Sequence, residues 1–247
     1  MEDIALLQKL IDESNNIVFF GGAGVSTESG IKDFRSVDGL YSQKYDYPPE
    51  TMLSHTFYVR HKEEFFRFYK DKLLIKDVEP NAAHYKLAEL EKSGKLKAVI
   101  TQNIYGLHQK AGSKTVYELH GSVLRNYCED CGKKFDITDN FTFDDMFAGK
   151  NIPVCDACGG PIKPDVVLYE EGLDNSIISA SIKAISEADM LIIGGTSLVV
   201  YPAAGLIDCY RGNKLVLINR DSTARDSVAN YVFKGKIGEI LSQIEVK

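Results

Sequence analysis

The sequence predicts an α/β protein, a doubly wound parallel sheet of Rossmann type with a small inserted zinc-binding module. Three observations carry that expectation. Short apolar runs recur at 17–20, 97–101, 116–119, 190–194 and 215–219, with a shorter one at 231–233. Segments of helical periodicity at 62–74, 81–92, 176–187, 203–211 and 236–246 separate most of them. Two C-x2-C pairs then break the rhythm between the third and fourth main runs. Strands alternating with crossover helices imply parallel pairing. Ligands on such sheets bind beyond the carboxyl ends of the strands, so the residues just after each run are the ones to read.

The elements follow in order. Residues 3–13 place Ile4, Leu7, Leu10 and Ile11 on one helical face, with charges opposite. Ile17-Val18-Phe19-Phe20 is short, β-branched and aromatic, as a strand buried on both faces should be. It runs into Gly21-Gly22. Residues 30–60 hold Gly39, Pro48, Pro49 and four tyrosines among few periodic signals, and read as a long loop leading into helices. Residues 123–170 hold four of the five cysteines and read as an inserted module.

Composition bounds the function. The 247 residues suit one large domain, or a domain carrying a small module, since a domain is usually about 100–200 residues. A chain that is 44% hydrophobic and 26% charged is neither disordered, collagenous nor coiled-coil overall. A net charge of −6 argues against a general nucleic-acid binder, which needs a basic face. The acidic N-terminus MEDIALLQKLIDES is unlike a secretory signal. The most apolar stretch, 190–209, is interrupted by Gly194, Gly195, Pro202 and Asp208, which disfavours a membrane span. A cytoplasmic protein is expected.

Cys128 and Cys131 form one pair, and Cys155 and Cys158 the other. Four thiolates from two such pairs can surround zinc tetrahedrally and leave no open position, which makes the metal structural. Glycine follows each pair, in Cys131-Gly132 and Cys158-Gly159-Gly160, and frees backbone N–H groups to turn toward the sulfurs. Two disulfides or a redox pair are the alternatives, and a cytosolic setting disfavours stable disulfides. The spacing slightly exceeds the commonest zinc pattern, so a strand or helix is expected between the pairs. Cys209, in a predicted helix, reads as a small buried hydrophobe.

The first strand ends in Gly21-Gly22-Ala23-Gly24-Val25-Ser26. Small residues there let the backbone approach a pyrophosphate, and a following helix N-terminus would favour its charge. Thr27 stands where the dinucleotide fingerprint has its third glycine, so a tight turn without a ligand is the alternative.

The full segment GAGVSTESGIKDFR, Gly22 to Arg35, resembles the signature of the sirtuins, the NAD-dependent protein deacylases. Thr101-Gln102-Asn103-Ile104, His120-Gly121, the double C-x2-C, Gly195-Thr196-Ser197 with Val200 and Pro202-Ala203-Ala204, and Ile218-Asn219 resemble further family motifs in the right order. The likeness covers nearly the whole chain and is to the compact bacterial type. It implies one catalytic domain over 1–247. Its Rossmann-type part would be 1–30, 76–122 and 171–247. Its small part would be the zinc ribbon 123–170 with a helical cofactor-loop region 31–75. NAD and an acyl-lysine protein or peptide would meet between them, with no nucleic acid or membrane as partner.

The resemblance also implies the chemistry. The acyl oxygen attacks the ribose carbon bearing nicotinamide, and the products are lysine, nicotinamide and O-acyl-ADP-ribose. His120 would be the general base on the ribose hydroxyls, and Asn103 would hold the nicotinamide ribose and order water. Gly22, Ala23, Gly24, Ser26, Thr27, Phe34, Arg35, Gln102, Ile104 and Tyr105 would join them around NAD. Gly195, Thr196, Ser197, Asn219 and Ile237 would hold its adenosine half. Val166, Val167, Tyr169, Glu171 and Val200 would face the acyl-lysine peptide.

Three positions depart from the family. Lys32 stands where Pro is usual, Tyr105 where Asp is usual, and Glu170 where Gly is common. The first two bear on the nicotinamide pocket. Either Tyr105 turns outward harmlessly, or nicotinamide handling has changed. Phe66 and Tyr69 fall where succinyl-selective members carry a Tyr and an Arg, which favours neutral acyl groups. ADP-ribosyl transfer, NAD hydrolysis or NAD sensing are the alternative activities.

Overall fold

The computed structural model describes residues 4–33, 47–75 and 77–246. Helix α1 (Ile4–Asp12) leads into β1 (Ile17–Gly21) and two 3-10 turns, Ala23–Val25 and Thr27–Ser29. Helices α2 (Pro49–Met52), α3 (His55–Arg60), α4 (Lys62–Lys72) and α5 (Ala82–Lys92) precede β2 (Leu96–Thr101), α6 (Leu107–Ala111) and β3 (Val116–Glu118). The strand pair β4 (Gly121–Cys128) and β5 (Ile162–Val166) flanks α7 (Phe143–Phe147). The chain then returns through α8 (Asn175–Glu187), β6 (Met190–Gly194), β7 (Leu215–Asn219), β8 (Tyr231–Lys234) and α9 (Ile237–Leu241).

Six strands form one parallel sheet in the order β3-β2-β1-β6-β7-β8. This is the doubly wound order, and its direction reverses between β1 and β6. Side chains alternate across a strand, so β1 serves two cores. Ile17 and Phe19 join Leu7, Leu10, Ile11, Leu87, Leu90 and Leu241 from α1, α5 and α9 on one face. Val18 and Phe20 join Ile185 of α8 and Ala203, Leu206 and Ile207 on the other. The β4–β5 pair is antiparallel and belongs to a third cluster, with the α4 aromatics Phe65, Phe66, Phe68 and Tyr69 packed against Phe147 and Ile162.

Three expected helices differ. The glycine turn is followed by 3-10 turns rather than an α-helix. There the Thr27 hydroxyl donates to the Gly24 carbonyl, and Gly30 takes a left-handed φ of 84° that ends the segment. Residues 203–211 form a 3-10 segment, Ala203–Cys209, where Pro202 brings no N–H and Gly205 weakens an α-turn. The last helix stops at Leu241, and turns carry the chain on to the buried Ile244. Cys209 is half-buried against the α8-side core.

Helix α5 is tied to the glycine turn. Asn81 caps it, accepting from Ala83 N–H, while its amide donates to the Val25 carbonyl at 2.8 Å and the Ser29 hydroxyl at 3.0 Å. His84 Nδ1 accepts from Asn81 N–H at 3.2 Å, which leaves the proton on Nε2. The His84 and His108 rings meet in the buried interior with centroids 4.7 Å apart and planes tilted by 54°. Among the described residues, neither His108 nitrogen nor His84 Nε2 has a hydrogen-bond partner. Burial lowers His84 to about 4 and His108 to about 3, against an ordinary value of 6.5. The unfolded chain therefore takes up these protons first. Stability from the neutral pair is complete above the unfolded value and drains away as pH falls from 6.5 toward 4 and 3. We expect thermal midpoints measured from pH 7 to pH 4 to fall less steeply in His108→Leu than in the wild type. Parallel curves would contradict this.

Candidate functional site

Two turns meet at the sheet's switch point. The turn after β1 and the turn after β6 pack backbone on backbone, with Gly24 N–H donating to the Gly195 carbonyl at 2.7 Å. A Cβ on Gly24 would lie 2.8 Å from Gly195 Cα, and a Cβ on Gly22 would lie 2.8 Å from Thr196 Cβ. Gly195 itself has a φ of 58°. The glycines thus answer to this crossing as well as to any ligand.

Beyond the crossing opens a cavity of about 660 Å³, the size of a small-molecule site. Its wall gathers residues from across the sequence. Gly22, Ala23, Gly24, Ser26 and Thr27 come from the first turn. Gln102, Asn103, Ile104 and Tyr105 follow β2, and His120 follows β3. Gly195, Thr196, Ser197 and Val200 follow β6, with Asn219 and Ile237 beside them. Val166, Val167, Tyr169 and Glu171 close the side toward the small part. Phe34 and Arg35 lie outside the described residues. Every other NAD- or peptide-facing residue expected from the sequence is on this one wall.

Hydrogen bonds fix the polar groups. The Asn103 amide NH2 donates to the Gly22 carbonyl and to Ser26 Oγ, both at 3.0 Å, which leaves its Oδ1 available. Gln102 donates from its side chain to Thr196 Oγ1 at 3.2 Å. Its backbone carbonyl accepts from His120 Nδ1 at 3.0 Å. A carbonyl can only accept, so Nδ1 carries the proton and Nε2 keeps its lone pair. Burial pushes the His120 pKa down, against a smaller upward pull from that carbonyl. The ring is neutral at pH 7 and able to take a proton. Asn219 and Thr196 exchange two hydrogen bonds, Thr196 N–H to Asn219 Oδ1 at 3.0 Å and Asn219 Nδ2 to the Thr196 carbonyl at 2.9 Å.

Gly121, next to His120, starts β4 with a φ of 72°, and a Cβ there would lie 1.9 Å from the Asp165 carbonyl. Val167 N–H donates to the His120 carbonyl at 3.0 Å, so the two sides of the cavity share a seam. Glu171 is occupied internally. Its carboxylate accepts from Leu168 N–H at 2.8 Å and meets His55 Nδ1 at 2.9 Å and Lys163 Nζ at 3.3 Å. It shapes the 166–169 segment from behind.

The three departing positions all line the cavity. Tyr105 is half-buried with its ring against the aromatic core, so it has not turned outward, and burial raises its pKa. Phe66 and Tyr69 are wholly buried in that core and are not on the wall, whereas Leu73 is. Leu53, Ile31, Val199 and Tyr201 also line the cavity. Sequence reading missed them because apolar residues in loops carry no periodic signal.

Away from the cavity, the four cysteine sulfurs lie within 4.8 Å of one another. Cys128 Sγ is 3.4 Å from Cys158 Sγ, and Cys131 Sγ is 3.7 Å from Cys155 Sγ. Zn–S bonds of about 2.3 Å in a tetrahedron require S···S edges of about 3.8 Å, so the donor set fits a structural zinc. All four thiols are free rather than disulfide-bonded. The two knuckles match, with Gly132 N–H donating to the Cys128 carbonyl and Gly159 N–H to the Cys155 carbonyl. Both glycines have positive φ. A backbone N–H, that of Ala157, also points at Cys155 Sγ, at 3.4 Å.

Known proteins are similar to this chain along nearly its whole length. An NAD-dependent protein deacetylase of Clostridium acetobutylicum is 61% identical over 99% of this chain and 98% of its own length. One of Clostridium perfringens is 58% identical over 99% of both. Among solved structures, Sir2 with p53 peptide and NAD+ aligns with a TM-score of 0.84 at 40% identity, covering 98% of this chain and 96% of that one. Sir2 bound to acetylated peptide aligns at 0.85 with 38% identity, covering 97% and 95%. The sequence model of the Sir2 family matches residues 22–202, which hold the first turn, His120, the four cysteines and the β6 turn. With that match and relatives of this identity along its whole length, the chain belongs to the Sir2 family.

Proposed function

We propose that the protein removes acetyl or other short neutral acyl groups from protein lysines, consuming NAD and giving nicotinamide and O-acyl-ADP-ribose. One observation carries the reading most directly. A neutral His120, its Nδ1 proton fixed by the Gln102 carbonyl, stands on the same cavity wall as Asn103 and both glycine turns. Relatives at about the identity quoted above are NAD-dependent protein deacetylases, and Sir2 structures hold acetylated or propionylated peptides.

NAD, when bound, supplies an electrophilic ribose carbon and a leaving group. The chain's own residues do the rest. His120 Nε2 accepts the ribose hydroxyl proton as the general base. Asn103 offers Oδ1 to the nicotinamide ribose and to water. Gly22, Ala23, Gly24, Ser26 and Thr27 bring backbone and hydroxyl groups to the phosphates. Gly195, Thr196, Ser197, Asn219 and Ile237 take the adenosine half. Val166, Val167 and Tyr169 on one side and Val200 on the other receive the acyl-lysine peptide, which adds as a strand. The domain division expected from the sequence goes with this reading. The two cores flanking the parallel sheet and the separate aromatic core of the small part support it. A cytoplasmic location is part of the same proposal. No helix among the described residues is long and apolar enough to cross a membrane.

His120→Ala is expected to lower deacetylation on the order of 10²- to 10⁴-fold while NAD still binds. Peptide mass and nicotinamide release followed together check this. Nicotinamide release without loss of acetyl in the wild type would favour NAD hydrolysis instead, and a gain of ADP-ribose mass would favour transfer. Tyr105→Asp is expected to raise kcat/KM for NAD, because a misplaced pocket contact can cost up to about 10²-fold. Equal or lower turnover would assign Tyr105 a neutral role. Elemental analysis should find one zinc per chain. Its removal by a chelator should lower the unfolding temperature and abolish activity together.

A further inference from the structure

Glu170 is a non-glycine residue held at a φ of 76°, one of four such positions among the described residues. Left-handed backbone disfavours a residue with a Cβ, and such outliers gather at functional sites. This one lies on the cavity wall between Tyr169 and Glu171, on the side proposed to receive the peptide. Its side chain is not loose. One carboxylate oxygen accepts from Thr56 N–H at 2.8 Å, and that contact holds its pKa below the usual carboxylate range. The backbone on both sides is stitched as well, with Tyr169 N–H to the Leu53 carbonyl at 3.0 Å on one side and Glu171 N–H to the Leu168 carbonyl at 3.0 Å on the other.

The neighbouring charges are accounted for. Lys163 is buried and paired to Glu171, and His55 meets the same carboxylate. His55 and Arg60 act on Glu170 only at a distance, and no Lys or Arg stands within ion-pair range of it among the described residues. Glu170 is exposed, so a fixed negative charge faces solvent at the rim. Across the cavity the wall includes Val199 and Tyr201, both exposed and uncharged.

We infer that Glu170 is a specificity-determining residue that selects acyl-lysine peptides carrying a basic residue beside the acyl-lysine. The inference rests on the deacylase reading. A stationary carboxylate attracts a flanking Arg or Lys without first having to be ordered. An exposed charge pair is weak, so the expected preference is modest, at most about five-fold in kcat/KM. Salt should weaken it, since the Debye length shrinks from about 10 Å at 0.1 M to about 3 Å at 1 M.

The test uses three acetyl-lysine peptides that differ only in one flanking residue, Arg, Gln or Glu. Wild type should rank them in that order at low salt, with the difference in KM rather than kcat. Glu170→Gln retains an oxygen to accept from Thr56 N–H but removes the charge. It should bring the three peptides to within the scatter of the assay while still turning over the Gln peptide. Glu170→Gly relieves the backbone and should erase the ranking in the same way. A ranking unchanged in both variants would overturn the inference and leave Glu170 as a tether of helix α3. If no peptide loses its acetyl group in any variant, the deacylase reading has failed. In that case binding of the same three peptides, followed by fluorescence anisotropy, still decides whether Glu170 ranks them.

Discussion

The crossing of two glycine turns sets the geometry of everything around it. Gly24 and Gly195 approach so closely that a methyl group on either would strike backbone. Because those turns end adjacent strands at the reversal of the sheet, their contact fixes how far the strand ends stand apart. From there a hydrogen-bonded path leads outward. Gly22 holds Asn103, Thr196 holds Gln102, and Gln102 holds His120. The histidine is oriented by a peptide carbonyl at a strand end, one of the stiffest supports a fold can offer.

The second part of the molecule is attached to that support by backbone. Gly121 pairs with Val166 directly after the histidine, and Val167 bonds back to the His120 carbonyl. Behind the same segment Lys163 Nζ donates to the Val166 carbonyl, and the Glu171 carboxylate accepts from Leu168 N–H. Removing Glu171 would leave the buried Lys163 ammonium without its counter-ion, a costlier loss than that of a surface ion pair. The cavity wall at 166–171 is therefore a strand and loop tied down by backbone, while the aromatic packing of α4 supports it from outside.

Much of this was legible in the amino acids. Runs at 190–194 and 215–219 coincide with β6 and β7, since a strand buried on both faces is apolar from end to end. The cysteine spacing led to one cluster of sulfurs and the motif residues to one cavity wall, because side-chain chemistry is written one residue at a time. What could not be read depends on how backbone is used. The 3-10 turns after β1 arise from local hydroxyl bonds and from Asn81, which stands far along the chain. That Leu168, His55 and Lys163 all meet the Glu171 carboxylate is a meeting of folded segments that no spacing along the chain announces. Phe66 and Tyr69 read as pocket residues by alignment, yet helical phase turns both into the core.

The twin knuckles give the small part an unusual freedom. Residues 132–154 leave one pair of thiols and return to the other, and they include the short helix α7 and the turn at Thr138 and Phe141. With zinc bound, the ion closes this stretch into a loop, which Phe135 N–H and Ile137 N–H also tie to the Asn126 and Leu124 carbonyls of β4 and which Phe147 docks on Phe66. Closure entropy grows only with the logarithm of length, about 0.6 kcal/mol for each doubling. Its exposed turn at 138–140, bracketed by the Thr138–Phe141 bridge, can gain or shed residues without moving the sheet or the cavity. That turn marks where related proteins can diversify their surface while keeping one catalytic frame.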